Sequence, residues 1–91
     1  MKYERKKSFG RIFRKLSSER QGKILEAIQS LIKFYETGIK PEGLGLKYLR
    51  DDVWEIRASL NDRILFSVEK DEILFLMAGN HDDVKKFLRG L

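Results

Sequence analysis

The 91-residue sequence contains no cysteine and a single proline. Without cysteine there is no disulfide framework, no thiolate metal site and no thiol nucleophile. A chain of this kind suits a reducing compartment, so we expect a cytoplasmic protein. No apolar run reaches the roughly 20 residues that a membrane-spanning helix needs, and no run typical of a signal peptide follows the basic N-terminus. We therefore expect no membrane partner.

Charge is distributed unevenly along the chain. The formal net charge is +5, and residues 1–23 hold nine Lys or Arg against two Glu. Nucleic acid and an acidic protein segment are both suitable anionic partners for this basic third, and charge alone does not choose between them. A solvated surface without a partner is the third interpretation.

The hydrophobic period changes near residue 40, from helical spacing to strand-like alternation. Before the change, residues 2–5 fit a short edge strand, and two amphipathic helices follow. Ser18 and Gln21 predict a capping box for the second helix, which should end near Gly38 and Pro41. The first helix carries an apolar stripe made of Phe9, Ile12, Phe13 and Leu16.

After the change, four short segments alternate apolar and polar residues. The predicted strands are Leu46–Arg50, Val53–Ser59, Arg63–Glu69 and Glu72–Ala78. Their connections are short and therefore imply antiparallel neighbours. A final helix follows, so residues 1–91 are expected to form one α+β domain. Its N-terminal helical hairpin packs on a three- to five-stranded antiparallel sheet, and a short C-terminal helix ends the chain.

Side-chain parity sets two arginines against each other on adjacent strands. The register that keeps the apolar residues together pairs Arg57 with Arg63 on the opposite face, beside Glu55. Facing like charges destabilise a sheet, and a bound anion removes that cost. Neutralisation by Glu55 in a surface salt-bridge cluster is an equally weighted interpretation. The residues expected on the core face are Trp54, Ile56, Ala58, Ile64, Phe66 and Val68.

The strands carry an ordered series of short motifs between residues 46 and 87. They are Lys47-Tyr48-Leu49, Val53-Trp54-Glu55-Ile56-Arg57, Arg63-Ile64-Leu65-Phe66 and Ala78-Gly79-Asn80-His81. In order and spacing this series resembles the RelE/ParE toxin superfamily. The resemblance implies a RelE-like fold and the toxin of a type II toxin–antitoxin system, with no cofactor. It also implies a small acidic antitoxin, mRNA and the ribosome as partners.

For RNA-cleaving members, the resemblance implies an mRNA endoribonuclease in which a 2′-hydroxyl attacks the adjacent phosphate without a metal ion. Arg57 and Arg63 match positions that stabilise the charged transition state. His81 matches a catalytic basic position and is the candidate general acid or base. The predicted RNA-binding residues are Lys47, Glu55, Lys85 and Phe87.

Two residues depart from the RNA-cleaving pattern. Glu55 stands where the RelE enzyme has a lysine, and Phe87 stands near a tyrosine position. The helical stripe favours core packing for Phe87 over a contact with RNA. These departures leave two alternatives: a ParE-like topoisomerase (gyrase) inhibitor without nuclease activity, and an inactive homologue that only binds an antitoxin.

Two further features of the C-terminal third have structural interpretations. His81-Asp82-Asp83 is a poor metal-ligand set, and helix capping by Asn80, Asp82 or Asp83 is favoured, so no metal is expected. The last strand carries apolar side chains on both of its faces, so both faces should be covered. In the family an antitoxin can supply one cover, but we favour the chain's own C-terminal helix.

Overall fold

The structure is a computed structural model that describes residues 1–91. None of its helices has the length and apolar character needed to cross a membrane. In chain order the elements are β1 (Lys2–Arg5), α1 (Lys7–Lys15), α2 (Ser18–Thr37), β2 (Lys47–Arg50), β3 (Val53–Arg57), β4 (Arg63–Glu69), β5 (Glu72–Gly79) and α3 (His81–Arg89).

The five strands form one sheet in the order β1-β5-β4-β3-β2. Strands β2 to β5 pair antiparallel, as their short connections predict. Strand β1 differs, because it runs parallel to β5 with Tyr3 opposite Ile73. Both helices α1 and α2 separate β1 from the other strands in the chain, so no tight turn forces an antiparallel pair. The α+β class with a helical hairpin and a C-terminal helix is confirmed.

The sheet face that packs against α1 and α2 is called the inner face, and the opposite face is called the outer face. Ile56, Ile64 and Phe66 on the inner face have no exposed surface. Trp54, Ala58 and Val68 pack around them, so the predicted core face is confirmed. The helices contribute Phe9, Ile24, Ala27 and Leu31 to this core.

The outer face has a smaller core beneath α3. Leu65, which parity places on the outer face, has no exposed surface because Val84 of α3 packs in the same cluster. A bulge in β5 adds to this core: Leu65 pairs with Met77 and Phe66 pairs with Phe75, so Leu76 is the extra residue. The prediction that the chain's own C-terminal helix covers this face is confirmed.

Helix α1 continues along the sheet edge where β1 stops. The backbone N–H of Lys6 donates to the carbonyl of Phe75 (2.9 Å), and Ser8 Oγ donates to the carbonyl of Leu76 (3.2 Å). These bonds satisfy β5 carbonyls that β1 is too short to reach. Helix α1 therefore protects the sheet edge beyond Arg5.

The ends of α2 follow capping rules, with one correction to the prediction. Ser17, not Ser18, is the N-cap, and its Oγ accepts from the N–H of Arg20 at 3.3 Å. The predicted capping box is absent, because the Gln21 amide instead donates to the Phe13 carbonyl at 2.8 Å and ties α2 to α1. At the other end Gly38 has φ 77° and caps the helix as predicted.

Candidate functional site

Three neighbouring strands each place a terminal residue in the same row of the sheet. Arg57 of β3 is directly opposite Arg63 of β4, and Arg63 is directly opposite Gly79 of β5. The predicted pairing of the two arginines is therefore confirmed, and we call these three residues the arginine row. His81 begins α3 two residues after Gly79. The backbone thus brings all three predicted catalytic residues to one end of the sheet.

The turn between β3 and β4 holds the side chain of Arg63. Its Nη1 donates to the carbonyls of Ser59 (3.1 Å), Leu60 (3.3 Å) and Asp62 (3.5 Å). A guanidinium group carries five N–H donors on three nitrogens. All three bonds to the turn use Nη1 of Arg63, and its Nε and Nη2 make none of them. Arg63 therefore has a structural role in the turn and retains donors for an anion.

Arg57 is exposed and takes part in no ion pair. Its backbone N–H donates to the Leu44 carbonyl at 2.8 Å, which fixes the loop before β2 against β3. Gly45 has φ 64°, and a Cβ there would lie 3.0 Å from Arg57 Cβ. The positive φ and this close approach both favour glycine at position 45, because a larger side chain would press against Arg57.

The sequence did not predict an ion pair behind the same turn, between a buried carboxylate and a half-exposed arginine. Asp62 is 3% exposed, and its carboxylate accepts from Arg20 Nε at 2.9 Å and Nη2 at 2.7 Å. This pairing raises the pKa of Arg20 above its ordinary value. The bond joins α2 to the turn that carries Arg63. A single Asp in a polar turn gives no sequence signal for burial, so the pair was not predictable.

The N-terminus of α3 is organised by a capping box that does not involve His81. Asn80 Oδ1 accepts from the N–H of Asp83 (2.8 Å), and Asp83 Oδ2 accepts from the N–H of Asn80 (2.9 Å). Capping by Asn80 and Asp83 is therefore confirmed. Gly79 makes room for this box, since a Cβ at Gly79 would lie 2.7 Å from Asp83 Oδ2. His81 remains exposed on the first turn.

The predicted RNA-binding residues fall into two groups. Lys47 and Glu55 are directly opposite each other, in the outer-face row next to the arginine row. Lys85 is exposed one turn after His81 on α3. Phe87 is half-buried against the outer core, which supports the packing interpretation rather than contact with RNA.

The proposed salt-bridge cluster around Glu55 is not formed. The ion pairs within 4.0 Å are Lys2–Glu4, Arg20–Asp62 and Arg50–Asp51, and none includes Glu55. The interpretation in which Glu55 neutralises Arg57 and Arg63 is therefore wrong for this structure. The two arginines face each other without a carboxylate partner, which leaves their charges available to an external anion.

The largest of the main cavities lies on the other side of the β3–β4 turn. It measures about 770 Å³ and is lined by Arg20, Lys23, Leu60, Asn61 and Asn80 among others, but by none of the three predicted catalytic residues. By strand register the arginine row belongs to the outer face, and Arg57 also lines a smaller cavity of about 170 Å³ beside Lys23 and Glu26 of α2. Helix α3 crosses the remainder of that face, and Arg50 Nη1 donates to the Leu88 carbonyl at its far end (3.3 Å).

Solved structures share this arrangement of strands and helices. The RelB–RelE antitoxin–toxin complex from Methanococcus jannaschii matches with TM-score 0.69 and 16% identity over 96% of this chain and 98% of that chain. The YoeB/ParE toxin from Agrobacterium tumefaciens matches with TM-score 0.68 and 16% identity over 89% and 99%. The archaeal RelE–RelB complex from Pyrococcus horikoshii matches with TM-score 0.66 and 15% identity over 87% and 92%.

No family model and no curated protein matches the sequence. The structural matches nevertheless extend over nearly the full length of both chains. This chain shares the fold of these RelE and YoeB/ParE proteins.

Proposed function

We propose that this protein is the toxin of a type II toxin–antitoxin system and that it cleaves mRNA on the ribosome. The observation that carries the proposal is the arginine row: two unpaired arginines face each other across β3 and β4, and His81 follows the adjoining Gly79. Two proteins of the same fold are antitoxin–toxin complexes, which supports an antitoxin as the partner.

The proposed reaction uses the RNA's own 2′-hydroxyl as nucleophile. Its oxygen forms a bond to the adjacent phosphorus and loses its proton to a base, while the bond to the 5′-oxygen breaks and that oxygen takes up a proton. The products are a 2′,3′-cyclic phosphate and a 5′-hydroxyl. Negative charge accumulates on the phosphate oxygens in the transition state, so preorganised cationic donors lower the barrier.

Arg57 and the free donors of Arg63 are suited to bind those oxygens, because guanidinium groups make charge-assisted, bidentate hydrogen bonds to phosphate. His81 is exposed beside the row and would transfer a proton to the leaving oxygen or from the nucleophile. Lys47 and Lys85 would contact flanking phosphates. Glu55 lies in the next row and is the candidate base if His81 acts only as the acid.

A ParE-like topoisomerase inhibitor is the second candidate. Two observations favour it: Nη1 of Arg63 is engaged by turn carbonyls, and an acidic Glu55 lies next to the row where RNA would bind. One protein of the same fold is itself described as a YoeB/ParE toxin. This alternative predicts growth arrest with DNA damage while mRNA stays intact.

The test measures cleavage of a defined mRNA by purified protein in a translation extract, with primer extension to locate the cut. Wild-type protein should cleave, and Arg57→Ala and His81→Ala should each reduce the rate by about 100-fold or more. Arg89→Ala, which removes an exposed charge at the end of α3, is the matched control and should cleave normally.

Arg63→Ala needs a stability measurement beside it, because the same change removes three bonds to the turn. A loss of cleavage with an unchanged melting temperature assigns Arg63 to the reaction. Intact mRNA and normal growth with wild-type protein would reject the toxin function, whereas arrest with intact mRNA would select the topoisomerase alternative.

A further inference from the structure

Asp62 connects three parts of the molecule at the end of the β3–β4 turn. Its carboxylate accepts from Arg20 Nε at 2.9 Å and Nη2 at 2.7 Å, which ties the turn to α2. Its backbone carbonyl accepts from the N–H groups of Ala58 (2.9 Å) and Ser59 (3.3 Å), which closes the turn. The same carbonyl accepts from Arg63 Nη1 at 3.5 Å. One residue therefore joins α2, the turn and the arginine row.

The tip of the same turn is exposed to solvent. Leu60 is 89% exposed and Asn61 is also exposed, whereas Asp62 is 3% exposed. Surface turns are more mobile than the strands they connect unless a side chain ties them down. The bond between Asp62 and Arg20 is the one ion pair that joins this turn to a helix. The position of the turn therefore depends on the Asp62 side chain.

Burying the Asp62 carboxylate has a large desolvation cost. Attraction to the partner charge offsets this cost only when the geometry is good, so a pair with a buried member adds little net stability. Apolar side chains of similar volume would hold the turn to α2 at least as firmly. What the pair with Arg20 adds is direction, because two parallel hydrogen bonds to one carboxylate fix its orientation.

The guanidinium group of Arg63 is held at one nitrogen and open at the other two. Its Nη1 donates to three carbonyls of the turn, and its Nε and Nη2 take no part in those bonds. Nε and Nη2 are the same two nitrogens with which Arg20 binds the Asp62 carboxylate. Their parallel N–H groups match two oxygens of a phosphate equally well. Anchoring through Nη1 therefore aims the anion-binding edge of Arg63.

Arg20 also lies near the start of α3. Arg20, Asp62 and Asn80 line the same cavity of about 770 Å³, so α2, the turn and the N-cap of α3 meet there. The hydrogen bond to Asp62 raises the pKa of Arg20 above its ordinary value, and the charge of Asp83 adds to the rise. The helix that begins with His81 is therefore close to the same arginine.

We propose that Asp62, held by Arg20, is a positioning residue for Arg63. The ion pair fixes the turn, the turn carbonyls fix Nη1 of Arg63, and its Nε and Nη2 then face an anion bound at the arginine row. The identity of that anion as the scissile phosphate rests on the proposed function. Asp62 acts through Arg63 and makes no contact with RNA itself.

Arg20→Lys tests the geometry of the pair while it keeps the charge. Lysine still neutralises Asp62 but lacks the fork that makes two parallel bonds. In the translation extract, kcat for cleavage should fall by about tenfold while KM changes by less than about twofold, because a displaced donor is missed chiefly in the transition state. Arg50→Lys is the matched control, since it makes the same change in the exposed pair with Asp51 and should cleave like the wild-type protein.

Leu31→Val controls for a general loss of stability. Leu31 belongs to α2 and has no exposed surface, so this variant weakens the core and leaves the ion pair in place. All variants are measured well below their melting temperatures. An unchanged kcat in Arg20→Lys, or an equal loss of kcat in Leu31→Val, would overturn the proposal.

A spectroscopic measurement tests the same point without cleavage. In ¹H–¹⁵N spectra of the guanidinium groups, the Arg63 signals are identified by their loss in Arg63→Ala. Wild-type Arg63 should show separate Nη1 and Nη2 signals, because three carbonyls hinder its rotation. Arg20→Lys should merge or broaden these signals, and Arg50→Lys should not. Merged signals in the wild-type protein, or separate signals that persist in Arg20→Lys, contradict positioning by the pair.

Inorganic phosphate is the probe for the open edge of Arg63. Titration should shift the Arg63 Nε signal of the wild-type protein, and Arg20→Lys should weaken this binding by about threefold or more. Equal phosphate affinity in the two proteins would reject the proposal. Neither spectroscopic test involves cleavage, so a protein that leaves mRNA intact and still shows these differences loses the proposed function and keeps the positioned arginine.

Discussion

The two faces of the sheet differ in how completely the chain covers them. The inner face packs against two helices through a core of 11 buried residues, whereas the outer face packs against α3 through five. Helix α3 covers β4 and β5 and leaves one end of the outer face open. The charged residues Glu55, Arg57 and Arg63 lie in that open part. A short third helix thus divides one face into a core and a candidate site.

Backbone register sets the boundary between the core under α3 and the charged residues beside it. Arg63 lies opposite Gly79, which is the last residue of β5, and α3 begins two residues later. The helix therefore starts beside the arginine row and runs away from it. Residues under the helix are apolar, and residues beside its first turn are charged.

The largest change in stability is expected from replacing a phenylalanine by alanine in the inner core, compared with the same replacement on the outer face. Phe66→Ala removes a ring with no exposed surface and should lower the free energy of unfolding by about 3–5 kcal/mol. Phe87 on the outer side is half-buried, so Phe87→Ala should lower the free energy of unfolding by only about 1–2 kcal/mol. Urea denaturation monitored by circular dichroism measures both. Equal costs would contradict the difference between the two cores.

The next effect tests the link between α2 and the turn beside the arginine row. Arg20→Gln leaves the Asp62 carboxylate buried without its partner and should cost about 2–4 kcal/mol. Arg50→Gln is the control, because Arg50 pairs at 3.3 Å with the exposed Asp51 and should cost less than about 1 kcal/mol. Thermal melts of both variants compare them. Similar losses of stability in the two variants would contradict the burial of Asp62.

A smaller change in stability is expected when a glycine of β5 is replaced by alanine, and little or none when a glycine of α1 is replaced. Gly79→Ala puts a Cβ 2.7 Å from the Asp83 carboxylate, so the capping box must shift and stability should fall by about 1–3 kcal/mol. Gly10→Ala meets only the flexible ends of Arg14 (3.4 Å) and Arg5 (4.0 Å) and should be neutral or stabilising by up to about 1 kcal/mol. Hydrogen exchange of the α3 amides would locate the damage. Unchanged protection in Gly79→Ala would refute the steric account.

The smallest effect concerns the edge of the inner core. Burial raises the pKa of Tyr3 above 10.0, with nearby Glu36 and Tyr35 adding to the shift. The unfolded chain ionises first, so this contribution to stability is present below about pH 10 and is lost as the pH rises further. Tyr3→Phe removes the unpaired hydroxyl and should add about 1 kcal/mol at neutral pH.

The measurement for Tyr3→Phe is the free energy of unfolding at neutral pH and above pH 10, with Tyr48→Phe as control. Tyr48 is exposed, and its hydroxyl donates to the Asp51 carbonyl at 2.8 Å. We expect a smaller alkaline loss in Tyr3→Phe than in the wild-type protein. Tyr35 retains part of that loss, because burial also raises its pKa. An unchanged alkaline loss in Tyr3→Phe would contradict burial of its hydroxyl.

Part of the candidate site was predictable because it depends on local rules. Alternation fixes which side chains share a face, so the Arg57–Arg63 pair followed from the apolar residues around it. The Asn80 cap and the α3 cover over the last strand followed from similar patterns. Ser17 was missed as the N-cap of α2, because two adjacent serines both satisfy the capping preference and the end of α1 chooses between them.

Other features depend on contacts between distant parts of the chain. The parallel pairing of β1 with β5, the burial of Asp62 against Arg20, and the close approach of Gly79 to Asp83 have no signature in a short stretch of sequence.

The sequence by itself therefore determined the elements, the apolar faces and the arginine pair, because each depends on neighbouring residues and a fixed period. Only the tertiary structure decided which part of the outer face stays open. That outcome depends on where α3 packs, and the packing position is set by long-range burial that no local pattern encodes.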